Sequence, residues 1–226
     1  MIFKIIEMYR RYEEIKKTKA EVFDLMNEFE FTKAENEKLQ KIENVVMLVP
    51  VVYPNLGGVT SALRILTSLQ NKGCKLTLAV CSEEMTMEEA KKNIKACMPS
   101  YEGEVKELKE CLSEEYDVCI ATSWQTAYYA QKISGYKVYF VQDYEPEFYE
   151  TNDFSVLAKN TYSFDYHIIS LGEWNAEKIK TNCLNYSSKI DVVDFPYDPK
   201  EYNFDKRNYD DYRNKKKLQL HVIFDL

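Results

Sequence analysis

The stretch that decides the fold is "NVVMLVPVVYPNLGGVTSALRILTSLQNKGCKLTLAV", residues 44–80. "NVVMLVPVV" (44–52) is a continuous apolar run, as a strand covered on both faces requires. "YPNLGGV" interrupts it. "TSALRILTSLQNKG" follows at helical spacing, and Gly73 marks the helix stop. "CKLTLAVCS" (74–82) then reads as a second strand. Strand, glycine turn, helix, strand is the unit from which parallel sheets are built.

The same alternation continues toward the carboxyl end. "YDVCIATS" (116–123) is a third strand and "WQTAYYAQKI" its helix. "YKVYFVQDY" is a fourth strand, and residues 153–163 read as helical. "YHIISLG" (166–172) is a fifth, followed by the helical "EWNAEKIKTN", and "KIDVVDFP" (189–196) is a sixth. Residues 84–97 are helical in pattern, whereas 104–112 fit either type. The expected fold class is α/β, a Rossmann-like doubly wound parallel sheet.

An extension precedes it. Ile2, Ile5, Ile6, Tyr9, Tyr12 and Ile15 recur at helical spacing, and Val22, Leu25, Met26 and Phe29 continue the pattern. Gly and Pro are absent, so residues 1–41 are expected to be helical. The flank of the domain is the simplest berth for these helices. A membrane-surface or partner helix is the alternative, because Lys4, Arg10, Arg11, Lys16, Lys17 and Lys19 supply positive charge that Glu7, Glu13 and Glu14 dilute. The expected division is a helical extension (1–41), a Rossmann-like domain (42–212), and a linker with the start of a further domain (213–226).

Composition excludes several classes. The chain has 226 residues, 45% hydrophobic, enough for a sizeable core. The net charge of −7 and the lack of a dense basic block argue against nucleic acid. Two histidines exclude a histidine-rich metal site. The six cysteines form no C-x-x-C pair and read as reduced thiols. No apolar run approaches the roughly 20 residues that span a bilayer.

In doubly wound sheets ligands collect at the carboxyl ends of the strands. Four sites there can carry chemistry. Gly57 and Gly58 let the chain turn tightly and let a ligand approach bare main chain, in front of a helix N-terminus. No G-x-G-x-x-G and no G-K-[ST] is present, so a dinucleotide cofactor is poorly supported. In "KVYFVQDYEPEFY" (137–149), Gln142, Asp143, Tyr144 and Glu145 end a buried strand with acids and rings. Asp143 and Glu145 share a face if the extended conformation persists. A carboxylate there can accept bonds from sugar hydroxyls or act as a base, and Tyr144, Phe148 and Tyr149 can stack on a pyranose. Thr122 and Ser123 end the third strand and can cap the next helix, with Trp124 and Gln125 then at the mouth of the same cleft; capping and packing explain them as well as ligand contact does. Gly172 ends the fifth strand, a turn first and a site second. His167 begins an apolar strand and reads as a core or edge histidine.

The stretch 44–80 resembles the first strand, Gly-Gly loop and helix of GT-B glycosyltransferases. "YFVQDYEPEFY", then "LAKNTYSFDYHIISLGEWNAEKI", then "FPYDPKEY", is similar to the amino-terminal half of the rhamnosyltransferases that build bacterial surface glycans. The likeness runs from about residue 44 to about 202. The Q-D-Y-E-P segment, the Y-S-F and the G-x-W turn carry it more specifically than the paired glycines do.

The resemblance implies an acceptor-binding half of a transferase, moving a sugar such as rhamnose onto a growing surface polysaccharide. Gly57 and Gly58 then line a cleft between two domains, with Gln142, Asp143 and Glu145 opposite and Tyr144 beside them. No catalytic base is assigned. No bound metal or cofactor is implied. A nucleotide-sugar is the donor, held mainly by a second domain of about 150 residues, into which "KKKLQLHVIFDL" (215–226) reads as the linker. The implied partner is an oligosaccharide or glycolipid acceptor, and the implied location is the cytoplasm, at the inner face of the membrane where the acceptor is lipid-linked. Alone, the chain is expected to show no turnover. The rival readings are half of a GT-B sugar-nucleotide epimerase and a non-catalytic sugar-binding or scaffold module.

Overall fold

The computed structural model describes residues 33–54, 56–82, 84–183, 186 and 189–197, together with Arg10 and residues 210–213. The chain divides into two compact units, Met1–Pro196 and Tyr197–Leu226. The first carries the sheet. In the second, the described part is Tyr197 and one short helix, Asp210–Arg213, with an ion pair between its ends at 3.4 Å.

Seven strands form one all-parallel sheet: β1 (Asn44–Val49), β2 (Lys75–Val80), β3 (Glu104–Glu107), β4 (Val118–Ala121), β5 (Tyr136–Val141), β6 (His167–Leu171) and β7 (Ile190–Val193). Their spatial order is β3-β2-β1-β4-β5-β6-β7. The central strand β1 is buried from Val45 to Val49, which explains its unbroken apolar sequence. Alternate residues feed two cores. Val45, Met47 and Val49 pack with α1 (Gly57–Gln70) and α2 (Met87–Cys97) on one face. Val46 and Leu48 pack on the other face, in the core shared by α3 (Leu108–Cys111), α4 (Trp124–Ala130), α5 (Asp153–Asn160) and α6 (Glu173–Asn182). Helices on both faces of a parallel sheet make this a Rossmann-like α/β domain.

The strand order reverses between β1 and β4. The chain grows outward through β2 and β3 on one side of that point and through β5, β6 and β7 on the other. A crevice opens at the carboxyl ends of strands whose connections leave to opposite faces.

The helix starts are mostly fixed by side chains. Thr86 and Glu89 make a reciprocal capping box on α2, and Asn152 caps α5. At α1, Leu56 occupies the cap position and gives no side-chain bond.

One open choice is settled and one expectation needs correction. Residues 104–112 resolve into a strand and a short helix, β3 and α3, where sequence pattern left the choice open. The helix expected to reach residue 41 is absent from residues 33–43, which carry no regular structure. Tertiary bonds hold this segment instead. The Asn36 side chain donates to Lys137 O at 2.9 Å and accepts from Lys137 N at 2.7 Å, acting as a partner strand before β6 begins. The Ala34 amide donates to Phe164 O at 2.9 Å. The rest of the expected extension, Arg10 aside, and the 214–226 part of the expected linker lie outside the described residues.

His167 sits at the sheet's amino edge, as expected of an edge histidine. Its ring bridges the Tyr136 hydroxyl at 3.1 Å and the Asp191 carboxylate at 2.8 Å, joining three strands. All six cysteines are unpaired thiols.

Candidate functional site

The first turns of α1 and α6, the helices that follow β1 and β6, both reach Gln142 at the end of β5. A methyl group added at Gly58 would lie 3.2 Å from Gln142 Nε2, so the first turn of α1 and the end of β5 are in contact range. Gly57 and Gly58 are exposed, Gln142 is half-buried and Asp143 is exposed. Asp143 Oδ1 accepts the Tyr144 amide at 2.8 Å, which orients the carboxylate.

Gly172 follows β6 and precedes α6. Its φ of +82° lies in the left-handed region, where a side chain is strained. Its amide donates to Val193 O at 2.9 Å. Three residues on, the buried Asn175 donates through Nδ2 to Gln142 O at 3.0 Å and to Leu171 O at 2.9 Å. One amide thus ties the end of β5 to the end of β6. Asn175 Oδ1 is buried and has no partner among the described residues. Sequence reading passed over Asn175. The signal available was its place in the first turn after the G-x-W step.

The remaining candidate residues lie beneath this surface. Tyr144 is 4% exposed. It stacks on Tyr162 at 5.7 Å, and Tyr162 stacks on Tyr139 at 5.8 Å, a three-ring column in the core. Trp124 is 1% exposed, and its indole N–H donates to the Tyr149 hydroxyl at 3.0 Å. Thr122 is buried, and its hydroxyl donates to Leu48 O at 2.7 Å. These three side chains are partnered within the protein and stand away from the cleft mouth.

Glu145 is also buried, so it does not share a face with the exposed Asp143. The extended run stops at Tyr144, and residues Glu145–Phe148 turn into a 3-10 helix that accepts Pro146 in its first turn. The turn swings Glu145 inward, where Oε2 accepts the Trp124 amide at 2.6 Å. Loss of hydration pushes the carboxyl up to about 8, against the smaller opposing effects of the Trp124 N–H and the Tyr139 hydroxyl. The Tyr139 and Tyr162 hydroxyls lie near this carboxyl without a well-formed hydrogen bond.

The site is therefore two-layered. The surface layer is Gly57, Gly58, Gln142, Asp143 and Gly172, offering bare main chain, an amide and a carboxylate. The layer below is Thr122, Trp124, Tyr144 and Glu145, which sets the shape of the first. Amide and carboxylate beside bare backbone suit a hydroxyl-rich ligand. Among the described residues no three His, Cys, Asp or Glu side chains gather as a metal site, and no helix is long and apolar enough to cross a membrane.

A parallel Rossmann-like sheet with an open glycine turn at its switch point defines an α/β domain whose ligands bind at the strand ends. The sequence model of a family described as the N-terminal domain of WsaF matches residues 44–174. That is more than half of the 226 residues, and it contains the whole surface layer just described. The chain belongs to the WsaF N-terminal domain family and is a glycosyltransferase-type domain. No curated protein sequence matches it.

Proposed function

We propose that this domain is the acceptor-binding half of a GT-B glycosyltransferase. It holds an oligosaccharide or glycolipid acceptor while a sugar, rhamnose by resemblance, is transferred from a nucleotide-sugar to a growing bacterial surface polysaccharide. The observation that carries the reading is the contact of Gly58 with Gln142. It brings the glycine turn next to the Gln142 segment at the switch point, and the reading takes the two as walls of one groove.

Each surface residue has a role in this reading. The Gln142 amide has donors and an acceptor for sugar hydroxyls. The Asp143 carboxylate accepts from two neighbouring hydroxyls. Gly57 and Gly58 leave room for a ring to approach the backbone. Gly172 and Asn175 hold the end of β6 against Gln142. The donor is held by groups outside this groove, so acceptor binding here does not require it. The same reading puts the protein in the cytoplasm, at the membrane's inner face when the acceptor is lipid-linked.

Calorimetric titration tests it. The chain is expected to bind an L-rhamnose trisaccharide and to bind a nucleotide-activated sugar at least tenfold more weakly. Tight nucleotide-sugar binding with no saccharide binding would overturn the acceptor assignment.

A further inference from the structure

Next to the groove lies a side-chain cluster with no part in the reading so far. Trp174 and Lys178 are one turn apart on α6, so they share a face. Trp174 is 52% exposed, unusual for the largest apolar side chain. The Lys178 ammonium sits 5.1 Å from the centre of the indole ring. It also donates to Glu147 Oε1 at 2.6 Å, and Glu147 belongs to the 3-10 helix that follows β5. Phe148, the next residue, is 60% exposed.

The cluster is anchored on both sides to the Gln142 segment. Glu147 lies on the 3-10 turn just beyond Asp143. Trp174 directly precedes Asn175, whose amide is bonded to Gln142 O. An indole, a carboxylate and an ammonium are thus held in fixed relation a few residues from the groove.

We infer that Trp174, Lys178 and Glu147 form a second sugar subsite, which takes a pyranose unit of the acceptor glycan next to the unit held at Gln142. This rests on the acceptor reading above. A pyranose has a C–H face that stacks on an aromatic ring and a rim of hydroxyls that both donate and accept. The indole matches the face. Glu147 accepts from the rim and Lys178 donates to it. The bond to Glu147 limits the freedom Lys178 loses when a ring docks, and the pyranose stacks on the indole face away from the ammonium.

The two tryptophans make the test direct. Trp124 is 1% exposed and Trp174 is 52% exposed, so acrylamide quenches mainly Trp174. The full chain is titrated with an L-rhamnose trisaccharide, followed by calorimetry and by acrylamide quenching. Saccharide is expected to shield Trp174, W174A to weaken binding about tenfold, and W174F to restore most of it. The unfolding midpoint of each variant separates lost binding from lost folding. If the wild type binds the trisaccharide while quenching is unchanged and W174A binds equally well, the subsite is refuted and the acceptor reading stands. If the wild type binds no saccharide, the acceptor reading fails and the subsite fails with it.

Discussion

Glu145 shows what a single buried carboxyl does to this domain. Its pKa is raised from 4.5 to about 8 by loss of hydration, so near neutral pH the native state keeps a proton that the unfolded chain releases. Between these two values the native state binds the more protons, and stability falls as pH rises, the loss being complete above the upper value. Glu145→Gln keeps an acceptor for the Trp124 amide and removes the titration. We expect the variant to gain on the wild type by about 2–3 kcal/mol between about pH 6 and about pH 9, measured by urea unfolding. A constant difference between the two proteins across that range would show that Glu145 titrates normally. Gly58 gives the second prediction at this scale. Gly58→Ala suits the first turn of α1 and places a methyl group against the flexible end of Gln142. The fold should hold or gain up to about 1 kcal/mol, while trisaccharide affinity falls several-fold by calorimetry. Gln142, Asp143 and the paired glycines were legible in the sequence because turn chemistry and polarity at a strand end are local signals. The burial of Tyr144, Trp124 and Glu145 was not. It depends on the 3-10 turn at 145–148 and on Tyr162, which lies beyond a whole helix in the same connection and is not a local signal.

Elements show the same division. β1, β2, β4, β5 and β6 were readable because both of their faces are covered. β3, with the sequence EVKE, was not: it is four residues long, charged, and at the edge of the sheet. Charged edge strands resist further pairing, and that use removes the apolar pattern by which strands are recognised. Residues 33–43 misled in the opposite sense. They contain no Gly or Pro, yet Asn36 spends its amide on the β5 backbone. Asn36→Ala should cost about 1–3 kcal/mol by leaving Lys137 N and O without that partner, read from the denaturation midpoint. The turn into β5 is less tolerant still. Gly135 has φ +92°, and a methyl group there would lie 2.4 Å from Tyr116 O. Gly135→Ala should cost more than about 2 kcal/mol, and a melting temperature equal to the wild type's would contradict the described turn.

At the scale of the whole domain, the two ends of the sheet do different work. The amino end is stitched by structural contacts: Asp117 accepts the amides of Glu43 and Asn44, and His167 bridges Tyr136 and Asp191. The carboxyl end carries the glycine turn, Gln142 and Asp143. This asymmetry follows from parallel strand order, which was legible in the alternation of strands and helices. That Gly58 and Gln142 wall one groove was implied by the resemblance and not by local pattern, because their approach spans two strands that are not neighbours in the sheet. The most direct measurement of that claim is a heteronuclear NMR titration of the chain with an L-rhamnose trisaccharide. The account predicts saturable shifts of the Gly57, Gly58, Gln142, Asp143 and Gly172 backbone amides, with those of His167 and Asp191 unmoved. Shifts confined to the amino edge, or none at saturating saccharide, would contradict it.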